Sequence, residues 1–191
     1  MIYPAGLLIC IAALAVMVHA QNETFTGTVL SYGSGFNTRS VTAPFTLRIK
    51  HYTSPDEAAN YLRILQDGGQ DDLLKAIKNE DVGTFSVGGS IGRTLNAAVE
   101  RTVDGQRRIY IAFERWTRFA EVRGGYRSLD YPFGYIELTI DPATGKGEGT
   151  YIAAAHIRWK RDKEGNSSHV EVEDFATFPA RLLNVRSKSR M

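Results

Sequence analysis

Cysteine is almost absent from this sequence. Cys10 is the only one among 191 residues, and it lies within the first twenty. A single cysteine cannot form an internal disulfide or a multi-cysteine zinc site. Removal of the first 20 of 191 residues would leave 171 residues without any thiol. The stability of such a chain comes from packing and from hydrogen bonds in its secondary structure, and oxidation of cysteine cannot regulate it.

Recognisable metal and phosphate motifs are also missing. The three histidines after residue 20, His51, His156 and His169, lie on separate segments and lack the spacing of metal ligands. The 23 basic and 21 acidic side chains give a net charge of +2, which is too small to indicate a nucleic-acid partner. We therefore expect no metal, no cofactor and no nucleic acid.

The first twenty residues contain no charged side chain. A long apolar run from Gly6 to Val18 ends in Val18-His19-Ala20, which places small residues where a signal peptidase cleaves. This layout predicts a signal peptide at residues 1–20, a mature chain that begins at Gln21, and export to the periplasm or the medium. No membrane span is expected after cleavage.

An uncleaved membrane anchor is the alternative interpretation of this segment. No Lys or Arg precedes the apolar run, unlike in most signal peptides. However, Ile2 to Ala20 falls just short of the roughly 20 apolar residues that a spanning helix needs. A lipid anchor on Cys10 is disfavoured because Ile9 is too large for the residue before a lipidated cysteine.

Most of the remaining chain shows the period-2 pattern of half-buried strands. Phe45, Leu47 and Ile49 alternate with polar residues, as do Ile109, Ile111 and Phe113. Asp104-Gly105 is typical of a two-residue hairpin turn, whose central positions both need positive φ. The same alternation predicts that Leu95, Ala97 and Val99 share one face, and that Tyr151, Ala153, Ala155, Ile157 and Trp159 share another.

One segment interrupts this pattern with helical spacing. Ser54-Pro55-Asp56-Glu57 has the sequence of a capping box, and Ala58, Tyr61, Leu62 and Leu65 follow at helical intervals. Gly68-Gly69 ends this helix, and a second short helix begins at Asp71. We predict a helical hairpin at residues 54–79.

These elements predict a mainly β fold, a β-rich α+β domain. We expect an antiparallel barrel or a strongly curved sheet with one inserted helical hairpin at one end or face. The alternative is an α+β sheet with the helices packed across its concave side. A single domain would cover residues 21–186, and residues 187–191 would form a frayed basic tail.

The most distinctive stretch runs from Glu114 to Tyr135 and interleaves arginines with aromatic residues. Its connection of about 17 residues is longer than a usual hairpin loop, and long loops are often functional. Arg side chains bind carboxylates and phosphates and stack on aromatic rings. We predict ligand-binding roles for Arg123, Arg127, Tyr126, Tyr131 and Trp116. The structural alternative is a flap that covers one end of the core.

Three functions follow as hypotheses. The first is an exported non-catalytic binding protein for a small amphipathic or anionic ligand, such as a lipid or an envelope glycan. The second is an exported hydrolase that uses Glu114 and Asp130 as an acid/base pair. The third is a structural or protein-interaction domain of the cell envelope. The sequence assigns no catalytic residue firmly, and it leaves the oligomeric state open.

Overall fold

A computed structural model describes residues 22–33, 39–116, 127–161, 168–175 and 178–189. The predicted signal peptide at residues 1–20 lies outside these ranges, and so do the predicted ligand-binding residues Arg123 and Tyr126.

Within these ranges, ten antiparallel strands form one sheet, with a helical element inserted after the second strand. The sheet order is β4-β3-β2-β1-β10-β8-β7-β6-β5, and β9 pairs with β8. A short 3₁₀ helix, Arg127–Asp130, precedes β7. The mainly β, antiparallel fold with one helical insertion is therefore confirmed. The elements are β1 Glu23–Ser31, β2 Val41–Ile49, α1 Pro55–Ile77, β3 Gly83–Val87, β4 Arg93–Leu95, β5 Ala97–Val103, β6 Gln106–Glu114, β7 Phe133–Ile140, β8 Lys146–Arg161, β9 Ser168–Asp174 and β10 Ala180–Ser189.

The sheet nearly closes into a barrel because its two outermost strands are consecutive in the chain. β4 pairs with β3 and β5 pairs with β6, and only Asn96 separates β4 from β5. Asn96 is buried, and its side chain connects the junction between β4 and β5 to two other segments of the chain. Its Nδ2 donates to the carbonyls of Lys78 and Glu80, and its Oδ1 accepts from the amide of Glu114.

Asn96 also changes which face the following residues occupy. Leu95 and Ala98 belong to the core inside the barrel, whereas Ala97 packs outside beneath α1. The predicted common face of Leu95, Ala97 and Val99 is therefore wrong. One irregular residue between two strands inverts the alternation, as in a β-bulge.

A second irregularity has the same effect on the longest strand, β8. The β7–β8 register shifts between Phe133 and Tyr135. Tyr151 consequently packs against the inner core, while Ala155, Ile157 and Trp159 belong to the outer cluster. The prediction that Tyr151 shares a face with Ile157 and Trp159 is wrong for this reason.

The barrel interior is filled with large apolar side chains. Phe25, Phe85 and Phe113 are all at most 2% exposed. A Cβ added to Gly134 would lie only 2.3 Å from the Phe113 ring, so not even a methyl group fits there. Little interior space remains for a ligand in the part of the chain that the structure describes.

The helix α1 begins with the predicted capping box. The Ser54 side chain accepts from the Glu57 amide, and the Glu57 carboxylate accepts from the Ser54 amide. Gly69, with φ of 75° and ψ of −168°, breaks the helical geometry at the predicted position. This conformation is accessible almost only to glycine.

The bend at Gly69 folds the helix back on itself. A straight helix of 23 residues would span about 35 Å. Yet the Thr53 amide, just before α1, donates to the Ala98 carbonyl, and Lys78, just after it, accepts from Asn96. Both ends therefore lie against the start of β5. None of the described helices is both long and apolar enough to cross a membrane.

The final strand is longer than the sequence predicts. β10 extends to Ser189, and Ser187 and Lys188 pair with Phe25 and Thr24 of β1. The expected basic tail at residues 187–191 is therefore largely part of the sheet. Ser187, Lys188 and Ser189 join the sheet because β1 offers each of them a backbone partner.

Candidate functional site

A cavity lies outside the barrel, between α1 and the outer face of the sheet. Its volume is about 480 Å³, within the range of about 300–1,000 Å³ typical of small-molecule sites. We call it the α1 groove. Its lining is contributed by α1 (Ala58, Tyr61, Leu62, Leu65, Leu73, Ile77), by β5 to β7 (Ala97, Val99, Arg101, Tyr110, Ala112, Tyr135) and by β8 and β9 (Ile157, Trp159, Ser168, His169, Val170, Val172).

The groove exists because three elements meet without filling the space between them. Small residues, Ala97 and Ala112, face each other as paired positions on β5 and β6. Leu65 and Leu73 of α1 belong to the same apolar cluster as these alanines and as Ile157 of β8. The second half of β8 extends beyond β7 and pairs with β9. The β8–β9 hairpin forms one wall of the groove.

The opposite face of that hairpin is polar and tightly paired. Arg158 bonds to Glu171 and Glu173, and Lys160 bonds to Glu171. Lys160 and Arg158 together lower the pKa of Glu171 to about 2. This polar face is thus an ion-pair network on the side of the hairpin opposite Ile157 and Val172.

The electrostatics of the groove favour a negative or polar guest. Arg101 and His169 line it, and no Asp or Glu side chain does. Arg101 pairs directly with Arg108 across β5 and β6. The Nε1 atom of Trp159 is buried and has no hydrogen-bond partner among the described residues.

Three tyrosines, Tyr61, Tyr110 and Tyr135, contribute to the lining of the groove. Burial raises the pKa of Tyr135. Burial also raises the pKa of Tyr61, and the negative charges of Glu80 and Glu57 raise it further. Both hydroxyls therefore stay protonated at neutral pH and can donate a hydrogen bond as well as accept one.

The predicted binding loop at residues 115–131 is anchored at its base by its own arginine. Arg115 donates from Nε to the Tyr131 carbonyl at 2.6 Å and from Nη2 to the Ser128 carbonyl at 2.6 Å. Both acceptors are backbone oxygens, so Arg115 joins the end of β6 to the residues just before β7.

The predicted ligand-binding residues within the described ranges contact different elements. Tyr131 is buried, and its hydroxyl donates to Glu173 of the hairpin. Trp116 is 72% exposed, and its ring stacks on Arg93 with 3.7 Å between the guanidinium carbon and the ring centroid. Arg127 begins the 3₁₀ helix and is exposed. None of these three lines the α1 groove.

The two candidate catalytic carboxylates have backbone roles in this structure. Glu114 ends β6 and donates its amide to Asn96. Asp130 accepts through its carbonyl from Gln70 Nε2 at 2.9 Å, and His156 Nδ1 lies 3.0 Å from the same oxygen. Gln70 also accepts from the Ile157 amide, so it links α1, the loop and β8.

The sequence analysis missed a buried charged cluster at one end of the barrel. Glu23 is 4% exposed and accepts hydrogen bonds from Arg107, Tyr52 and Ser187. Arg107 also donates to Glu100. Nothing in the sequence could reveal this cluster, because Glu23 and Arg107 are 84 residues apart.

A G-x-S-x-G pattern is present at Gly88-Gly89-Ser90-Ile91-Gly92. In hydrolases this pattern lies in a sharp turn between a strand and a helix. Here it connects β3 to β4, and the Ser90 amide donates to the Val87 carbonyl. The turn is that of a hairpin, so the pattern does not identify a catalytic serine.

Within the described ranges, no group of three or more His, Cys, Asp or Glu side chains is placed to hold a metal ion. Comparisons with models of protein families, with curated proteins and with solved structures find no match for this chain. Fold and site together define an antiparallel β-barrel-like protein with an apolar groove under α1.

Proposed function

We propose that this chain is an exported, non-catalytic binding protein that holds a small amphipathic ligand in the α1 groove. The observation that carries the proposal is an unfilled, mainly apolar space of about 480 Å³ beside a filled barrel interior. An apolar chain would displace water from Leu, Ile, Val and aromatic surfaces, at about 25 cal/mol for each Å² buried.

The polar atoms of the groove support an amphipathic guest rather than a purely apolar one. Its lining includes Arg101, Ser168 and His169 as well as three tyrosines. Ligand sites usually combine an apolar lining with a few such groups that fix orientation.

The export part of the proposal depends on residues 1–20, and N-terminal sequencing of exported protein should find Gln21 first.

A titration with decanol tests the groove, with Trp159 as the reporter. The chain has two tryptophans, so Trp116→Phe leaves Trp159 alone to report on the site. We expect saturable changes in its emission on adding decanol below its solubility limit. Ala112→Leu, which fills the groove floor, should weaken binding by at least about tenfold, equal to about 1.4 kcal/mol.

Ala143→Leu is the matched control, because Ala143 is exposed in the turn between β7 and β8. It should leave the affinity unchanged. The absence of saturable binding, or equal losses in both variants, would overturn the proposal.

A further inference from the structure

We infer that the α1 groove is specific for single-chain amphiphiles with an anionic head, carboxylate or phosphate, which Arg101 and Arg108 bind. This inference rests on the proposed function and assigns the head group and the residues that recognise it.

The register of the sheet places the two arginines side by side at one edge of the groove. Arg101 and Arg108 are direct partners across β5 and β6, so their side chains emerge on the same face. The next pair along the same strands on this face is Val99 and Tyr110, and both of these residues line the groove. An apolar chain between α1 and the sheet would therefore bring its head to the arginine pair.

The pair carries positive charge that the protein itself compensates only weakly. Like charges directly opposite each other in a sheet are destabilising. Arg101 makes no hydrogen bond or ion pair within the described part of the chain. Arg108 Nη1 lies 4.0 Å from Glu137, which is too long for a hydrogen bond, and Arg108 Nε is buried without an acceptor.

An anion between the two guanidinium groups would relieve their repulsion. Guanidinium groups bind carboxylates and phosphates through paired, charge-assisted hydrogen bonds. Glu137 is the one acid that contacts the pair in the described structure, so the two arginines retain a net positive charge. No acidic side chain lines the groove behind them to repel the head.

Matched ligands separate the head-group inference from the groove itself. Decanol, decanoate and decyl phosphate share one tail, and each is titrated into the full chain at neutral pH below its aggregation threshold. We expect at least one anion to bind about tenfold or more tightly than decanol, and this preference to shrink in high salt. Calorimetry gives a second readout that does not depend on Trp159.

The decisive variant is the double substitution Arg101→Gln and Arg108→Gln. It should remove the preference for the anion and leave decanol binding within about twofold. The control, Arg48→Gln with Arg186→Gln, removes the same charge from exposed positions on β2 and β10, which do not line the groove.

Two outcomes overturn different statements. Equal affinities for the alcohol and both anions, or a preference that survives the Arg101/Arg108 substitutions, would refute the head-group inference and leave the groove as a binding site. Failure of all three ligands to bind would refute the proposed function.

Discussion

Two arginines point into the barrel, one at each end, and their surroundings differ. Arg107, near the start of β6, donates to Glu23, Glu100 and Tyr52. Arg93, at the start of β4, lies opposite Phe85 on the inner face. Its Nη1 is buried without an acceptor in the described structure, and its guanidinium is stacked on the exposed ring of Trp116.

The comparison of the two ends shows that a shifted pKa does not by itself identify a functional site. Burial alone would raise the pKa of Glu23, but hydrogen bonds from Arg107, Ser187 and Tyr52 outweigh it and lower the pKa. Burial and the Glu23 carboxylate raise the pKa of Tyr52. Such shifts often mark active sites. Here both Glu23 oxygens are engaged by protein donors and the cluster lies away from the groove, so it closes the end of the barrel.

The largest effect should come from removing the cation at the satisfied end. Arg107→Met leaves the Glu23 carboxylate buried at 4% exposure without its partner. Breaking a buried ion pair on one side typically costs about 3–5 kcal/mol. Urea denaturation should show a loss of this size in the free energy of unfolding.

The double variant Arg107→Met with Glu23→Leu tests whether the lost charge partner is the cause. It should recover part of the stability, since no carboxylate is left buried and unpaired. Equal losses in the single and double variants would mean that packing of the Arg107 stem, rather than its charge, stabilises this end.

A smaller loss in the free energy of unfolding is expected when the pH is lowered. A carboxylate with a lowered folded pKa contributes stability that is present above its unfolded pKa, near 4.5, and is lost as the pH falls through the folded value. The free energy of unfolding of the native chain should therefore fall more steeply below pH 4.5 than that of Glu23→Gln. Each unit between the two pKa values corresponds to about 1.4 kcal/mol.

Parallel pH dependences in the native chain and in Glu23→Gln would contradict this assignment. Other carboxylates titrate in the same range, so only the difference between the two proteins reports on Glu23. Asp141→Asn is the control, because hydrogen bonds from Thr144 and the Ala143 amide lower the pKa of this exposed turn carboxyl as well. That variant should keep the Glu23 contribution.

Local chemistry allowed much of the fold to be predicted. The turn at Asp104-Gly105 has φ of 52° and 74°, as its residue types require. The capping box and the helix break at Gly69 also form where the sequence places them. Each of these features depends on a few adjacent residues, so one sequence contains the whole cause.

The candidate site could not be predicted because its causes are not local. The face of Ala97 depends on an irregularity at Asn96, and that of Trp159 on a register shift between β7 and β8. The groove requires α1, β5 and the β8–β9 hairpin to meet, and these elements are far apart in the chain. Composition drew attention to the loop at residues 115–131, whereas the groove is lined by ordinary Ala, Leu, Val and Tyr.

The smallest effect on stability is expected at the unsatisfied end. Arg93→Met removes a cation–π contact with Trp116 worth about 0.5–1 kcal/mol. It also removes a buried donor whose missing acceptor costs about 1–3 kcal/mol in the native chain. These terms oppose each other and leave between about zero and 2.5 kcal/mol in favour of the variant, so the free energy of unfolding should not fall when it is measured in urea beside Arg107→Met. A methionine keeps the stem that packs near Phe85, so both substitutions alter the charge more than the volume. A loss of about 3 kcal/mol or more at Arg93 would show that both ends depend on their arginine alike, and the contrast between the two ends would fail.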